Sequence, residues 1–182
     1  VTASAGKSEC DTGTFPPIIL IGPPGAGKTT VGTALAARLG TGFTDTDAAV
    51  EAAAGKPVSD IFITDGETEF RRLERDAVAA ALVGRAGVIG LGGGAPMEPA
   101  TQALLAGRRV VYLETGFSEL TKRVGLDRAR PLLIGTNPRA QLKALLEQRL
   151  PVYQKLAWRT VGTDGRKPDE IADEIAAAVT GQ

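Results

Sequence analysis

The chain has no histidine and a single cysteine, Cys10, in 182 residues. The first absence removes imidazole acid–base chemistry and histidine-bearing zinc sites, and the second removes intrachain disulfides. A free thiol without disulfides fits a cytoplasmic protein. Net charge is lacking too, since 21 Lys and Arg balance 21 Asp and Glu. The chain as a whole therefore offers no attraction to nucleic acid or to an anionic membrane. Five Phe, two Tyr and one Trp leave few rings on which bases could stack. No apolar run approaches the roughly 18 residues of a membrane-spanning helix. No internal repeat, low-complexity tract or linker divides the sequence.

Apolar residues nevertheless make up 43% of the chain, which in this length supports one domain with a sizeable core. Residues 1–14, VTASAGKSECDTGT, are small and polar and lack the apolar core of a signal peptide. They read as a flexible leader before a single domain over 15–182. Within that domain, buried-strand patterns alternate with helical ones. PPIILIG (16–22), GVIGLGGG (87–94), RRVVYLE (108–114) and WRTVGTD (158–164) read as strands, and TGFTDTD (41–47) as a short strand with its turn. Helical periodicity covers 28–39, 46–54, 66–83, 101–106, 117–124, 139–157 and the last helix, 167–180. Ser59 is placed to cap a short segment after the Gly55-Lys56-Pro57 break, and Pro151 to interrupt or end the 139–157 helix. This order predicts an α/β fold, a parallel sheet with helices on both faces.

Gly22-Pro-Pro-Gly-Ala-Gly-Lys28-Thr29 matches the P-loop pattern between an apolar strand and an amphipathic helix. Glycines let successive N–H groups approach phosphate closely, and the helix starting at Lys28 adds its positive end. Lys28 reaches the outer phosphates, and Thr29 offers a hydroxyl to Mg²⁺. This motif names the donor but not the acceptor.

Arg71, Arg130 and Arg149 are the acceptor-side candidates. Glu74, three residues after Arg71, shares its helical face and can orient it, although a surface ion pair has the same spacing. GLGGGAP (90–96) ends a buried strand with three glycines, where a ligand can approach bare backbone. Many P-loop proteins carry a metal-holding aspartate after such a strand. None stands here, which leaves Glu114 or the FTDTD pair as substitutes; on an extended chain Thr46 would point away from both aspartates, placing the two carboxylates on one face.

Taken together, GPPGAGKTT, DTD, DIF, DGETEFRRLE, GLGGGA, RPLL, RLPVY and DGRKP resemble the shikimate kinase family in order and spacing, from about residue 18 to residue 179. The resemblance implies a three-layer α/β/α P-loop NTPase fold with a five-stranded parallel sheet in the order 2-3-1-4-5, and a mobile lid over about 125–137. It implies transfer of the ATP γ-phosphoryl to the 3-hydroxyl of shikimate, on the route to chorismate and the aromatic amino acids. By motif, Gly25, Ala26, Gly27, Lys28, Thr29 and Thr30 would cradle ATP. Thr29, and Asp45 through water, would hold Mg²⁺. Asp47 would bond the acceptor hydroxyl, Arg71 and Arg149 the shikimate carboxylate, and Gly92, Gly93 and Gly94 the remaining hydroxyls. Arg130 would reach the phosphates from the lid and Arg166 would line the adenine pocket, with Lys122 and Arg123 as further candidates for ATP contact. Gly162 departs from the polar or acidic residue common at its place. ATP and shikimate are the expected partners, with no nucleic acid and no membrane, and a cytoplasmic monomer is expected. A gluconate-type kinase and a non-catalytic nucleotide-binding regulator are the competing readings. The intact set of Asp47, Arg71 and Arg149 argues against the regulator.

Overall fold

The computed structural model describes residues 15–83, 87–125 and 137–181. Strands β1 (Ile18–Ile21), β2 (Gly42–Asp45), β3 (Gly87–Gly90), β4 (Arg109–Glu114) and β5 (Arg159–Gly162) form one sheet in the order β2-β3-β1-β4-β5. Every pairing is parallel. Parallel neighbours need crossovers, and helices supply them. They are α1 (Lys28–Arg38), α2 (Thr46–Ala54), α3 (Val58–Thr64), α4 (Gly66–Val83), α5 (Pro99–Leu105), α6 (Phe117–Arg123), α7 (Pro138–Leu156) and α8 (Pro168–Thr180).

Side chains alternate across each strand, so the sheet has two apolar faces. On one, Ile18, Leu20, Val88, Val111 and Leu113 meet Val31 and Leu35 of α1 and Ile171 and Ile175 of α8. On the other, Ile19, Ile21, Ile89 and Tyr112 meet Val78 of α4, Leu105 of α5 and Tyr153 of α7. Fully burying one such side chain contributes about 1.5–3 kcal/mol, and all four residues of β1 are buried. The central strand therefore anchors the loop that follows it. A third cluster of Val50, Ile61 and Phe70 packs α2, α3 and α4 together beside the sheet edge.

Three local expectations change. Ser59 does not cap α3. The helix starts at Val58 after Pro57, and the Val58 N–H donates to Glu51 Oε1 at 2.9 Å. Helix α7 runs unbroken through Pro151 to Leu156. Pro151 lies on its exposed side, where water can take up the carbonyl that proline leaves without a helical donor. The FTDTD stretch is not extended to its end, because β2 stops at Asp45 and α2 begins at Thr46.

Candidate active site

The turn from β1 into α1 places Gly25 and Gly27 at φ of 83° and 89°, in the left-handed region that glycine enters without penalty. Ala26 between them is buried. The Lys28 ammonium donates to the carbonyls of Gly22 at 2.9 Å and Pro23 at 3.0 Å, folding back over the loop. Burial pushes its pKa down to about 8, against the opposing pull of Asp47 and Asp45. The Thr29 hydroxyl donates to Asp45 Oδ2 at 2.8 Å, and Asp45 caps α2 by accepting from the Asp47 N–H at 3.0 Å. One carboxylate thus ties the first turn of α1 to that of α2.

Thr30, Ala26 and Gly27 line a cavity of about 270 Å³ with Arg123, Arg166 and Pro168. Arg166 donates to the carbonyl of Gly162 at 3.1 Å and pairs with Glu174 at 2.8 Å. Arg123 donates to the Thr163 carbonyl at 3.1 Å and reaches toward the Gly25 carbonyl, 3.5 Å away. Lys122 turns outward, its side chain 61% exposed and facing Glu119 at 3.9 Å. Of the two basic residues before the expected lid, Arg123 alone lines this cavity. Glu114 lies elsewhere, in a larger cavity lined by Phe117, Leu146 and Tyr153.

Asp47, Arg71, Arg149 and the three glycines come together. A Cβ on Gly92 would collide with Asp47 Oδ1 and lie 3.1 Å from Glu74 Oε1. One on Gly93 would lie 3.4 Å from Arg149 Nη1, and one on Gly94 2.9 Å from Arg71 Nη1 and 3.6 Å from Arg149 Nη2. A side chain at these glycines would displace the functional side chains, which pack directly on their α-carbons. Thr46, fully buried, accepts from the Gly92 N–H at 3.1 Å and so holds the glycine turn against α2. That tie had one sequence signal, a hydroxyl residue between two aspartates. Arg71 donates to Glu74 at 2.6 Å, with Glu74 only 3% exposed. Burial raises the pKa of Glu74 against the opposing effect of Arg71. Burial and the charge of Asp45 raise that of Asp47, against Lys28. Arg130 and all but the ends of the expected lid lie outside the described residues.

Two guanidiniums on bare backbone make a site for a small planar anion. A carboxylate with a raised pKa stands next to it and within the electrostatic reach of the phosphate-loop lysine. The fold and this pairing of a phosphate cradle with an anion cradle define a P-loop kinase of small molecules. The family model for shikimate kinase matches residues 24–180. Shikimate kinase from Thermobifida fusca (strain YX) is 62% identical over 161 residues, 88% of this chain and 93% of that protein. The structure of shikimate kinase from Acinetobacter baumannii in complex with shikimate superposes with a TM-score of 0.84 at 36% identity, covering 92% of this chain and 94% of that one. A gluconokinase from Sinorhizobium meliloti 1021 shares the fold, with a TM-score of 0.55 at 22% identity, covering 92% of this chain and 94% of that one. The chain belongs to the shikimate kinase family.

Proposed function

We propose that the chain transfers the γ-phosphoryl group of ATP to the 3-hydroxyl of shikimate, releasing ADP and shikimate 3-phosphate. The observation that carries this reading is the convergence of Arg71 and Arg149 on Gly94 while Asp47 packs on Gly92. The two guanidiniums would hold the carboxylate of the acceptor as a rigid, bidentate pair. Its hydroxyl would then lie toward Asp47 and the phosphate loop. The acceptor oxygen bonds to the γ-phosphorus as the bond from that phosphorus to the β,γ-bridging oxygen breaks, and the electron pair leaves with ADP. The hydroxyl proton passes to Asp47, whose raised pKa suits a carboxylate that must accept one. Such a transfer depends mainly on alignment and charge neutralisation. Lys28 would leave the loop carbonyls for the outer phosphates. Arg130 would add its charge there, and Arg123 and Arg166 would flank the base in the cavity beside Thr30.

Magnesium suits Thr29 and Asp45. Their oxygens lie 2.8 Å apart, and no cluster of three or more His, Cys, Asp or Glu suited to a metal occurs among the described residues. Mg²⁺ keeps most of its own waters, so one hydroxyl and one carboxylate reached through water are enough protein ligands. Bound with ATP, the ion would supply neutralisation of charge on the β- and γ-phosphates. No helix among the described residues is long and apolar enough to cross a membrane. We propose a cytoplasmic monomer, which a solution mass measurement and fractionation of cells check.

The test is ADP release from MgATP with shikimate or gluconate as acceptor. ADP formation that depends on shikimate is expected. Release with gluconate alone would assign the cradle to sugar acids, and release with neither acceptor would favour a nucleotide-binding role.

A further inference from the structure

The glycine turn has an unusual hydrogen-bond pattern. Gly92 donates to Thr46, and the next amide to find a backbone acceptor is that of Ala95, which donates to the Gly92 carbonyl at 3.1 Å. Neither the Gly93 nor the Gly94 N–H has an acceptor among the described residues. Both glycines are half-buried, so these donors are open to water or to a ligand. Both α-carbons lie beside Arg149, and that of Gly94 also beside Arg71.

The carbonyl of Gly93 is held firmly. The Tyr153 phenol donates to it at 2.6 Å across 60 residues of sequence. Tyr153 is 1% exposed, and its ring stacks on Tyr112 of β4 with centroids 5.3 Å apart. The phenol therefore projects from a fixed ring, braced by the sheet. Burial also raises the Tyr153 pKa, against the opposing effect of Arg149, which faces the same phenol, so the oxygen keeps the proton it donates. The Gly93 carbonyl and the Gly94 N–H belong to one trans peptide, whose C=O and N–H point in opposite directions. Fixing the carbonyl toward Tyr153 fixes the Gly94 N–H away from it. Arg149 lies one turn before Tyr153 on α7, so the same helix carries a guanidinium of the cradle and the phenol that sets its backbone donor.

We infer that Tyr153 is a positioning residue for the acceptor: its phenol locks the Gly93–Gly94 peptide so that the Gly94 N–H is offered to the anionic acceptor between Arg71 and Arg149. Tyr153 itself touches neither substrate. The inference rests on the acceptor reading given above, and its experiment separates the two.

Tyr153→Phe removes one oxygen and keeps the ring and its stacking. Initial rates are measured with each substrate varied at saturating levels of the other, alongside the melting temperature. A neutral hydrogen bond has a net value of about 1 kcal/mol, so KM for shikimate should rise about three- to tenfold while KM for ATP stays within twofold. A merely structural role would lower the melting temperature and leave that split absent. A shikimate KM within twofold of wild type, or equal rises in both KM values, overturns the inference. A second measurement uses the unmodified protein. In ¹⁵N–¹H spectra, shikimate without nucleotide should shift the Gly94 amide and slow its exchange, and an unchanged Gly94 amide in a protein that turns over shikimate overturns the inference. Wild-type protein with no shikimate-dependent ADP release would instead remove the acceptor reading itself.

Discussion

Lys28→Met should abolish turnover and also change how the nucleotide-free protein responds to pH. Lys28 is held on the carbonyls of Gly22 and Pro23, and burial lowers its pKa from 10.5 to about 8. A depression of that size corresponds to roughly 3 kcal/mol between the two protonation states. Below pH 8 the lysine is charged in the folded and unfolded chains alike, and the folded chain bears the full cost of a buried ammonium. Between about 8 and 10.5 the folded chain releases the proton while the unfolded chain keeps it. The unfolded state then binds more protons, so stability rises with pH. Urea unfolding in metal-free buffer, followed by far-UV circular dichroism from pH 7 to 9.5, reads this directly. The wild type should gain about 2 kcal/mol on Lys28→Met over that range, or roughly 4–8 °C in melting temperature for a domain of this size. Parallel profiles, differing by less than about 0.5 kcal/mol in slope across the range, would refute the reasoning. The mechanistic content is that the loop holds an under-solvated cation, which the outer phosphates of ATP would relieve.

Three other outcomes follow from the site. Asp47→Asn should lower kcat by about 10²- to 10³-fold with ATP affinity near wild type by calorimetry, and a kcat within fivefold would remove Asp47 from proton transfer and aim. Arg149→Lys should raise KM for shikimate about tenfold or more, because an ammonium cannot reproduce two parallel N–H bonds; an unchanged KM would place Arg149 outside the acceptor site. Gly92→Ala puts a methyl into Asp47 Oδ1 and within 3.1 Å of Glu74 Oε1, so it should cost about 1–3 kcal/mol of stability and reduce kcat, both measurable on one preparation.

The centre of the sheet was legible because β1 and β3 are short apolar runs ended by glycine and β4 is an apolar run, and the phosphate loop because its glycines stand at fixed spacing. The acceptor cradle was legible only as separate pieces. Spacing put Glu74 on the face of Arg71, but nothing local brings Arg149, 78 residues further along the chain, to the same glycine. Packing of α7 across the sheet does that. Pro151 misled because the rule against proline in helices assumes that the freed carbonyl is buried, whereas it sits on an exposed side here. Alternation along an extended chain points Thr46 away from both carboxylates, but Thr46 and Asp47 both pack on Gly92. A helix cap at Asp45 turns the chain, and Thr46 is buried to hold Gly92 rather than left facing away. Tyr153 closes the RLPVY motif, but its role was not legible there, since a tyrosine on an apolar helix face reads as core until its hydroxyl is seen on the Gly93 carbonyl.

The central claim is tested most directly by identifying the product. Incubation with MgATP and shikimate, followed by ³¹P NMR, should show one new phosphomonoester, coupled to the proton on C3 of shikimate and equal in amount to the ADP formed. Phosphorus on another oxygen, or ADP formed equally with and without shikimate, would contradict the account.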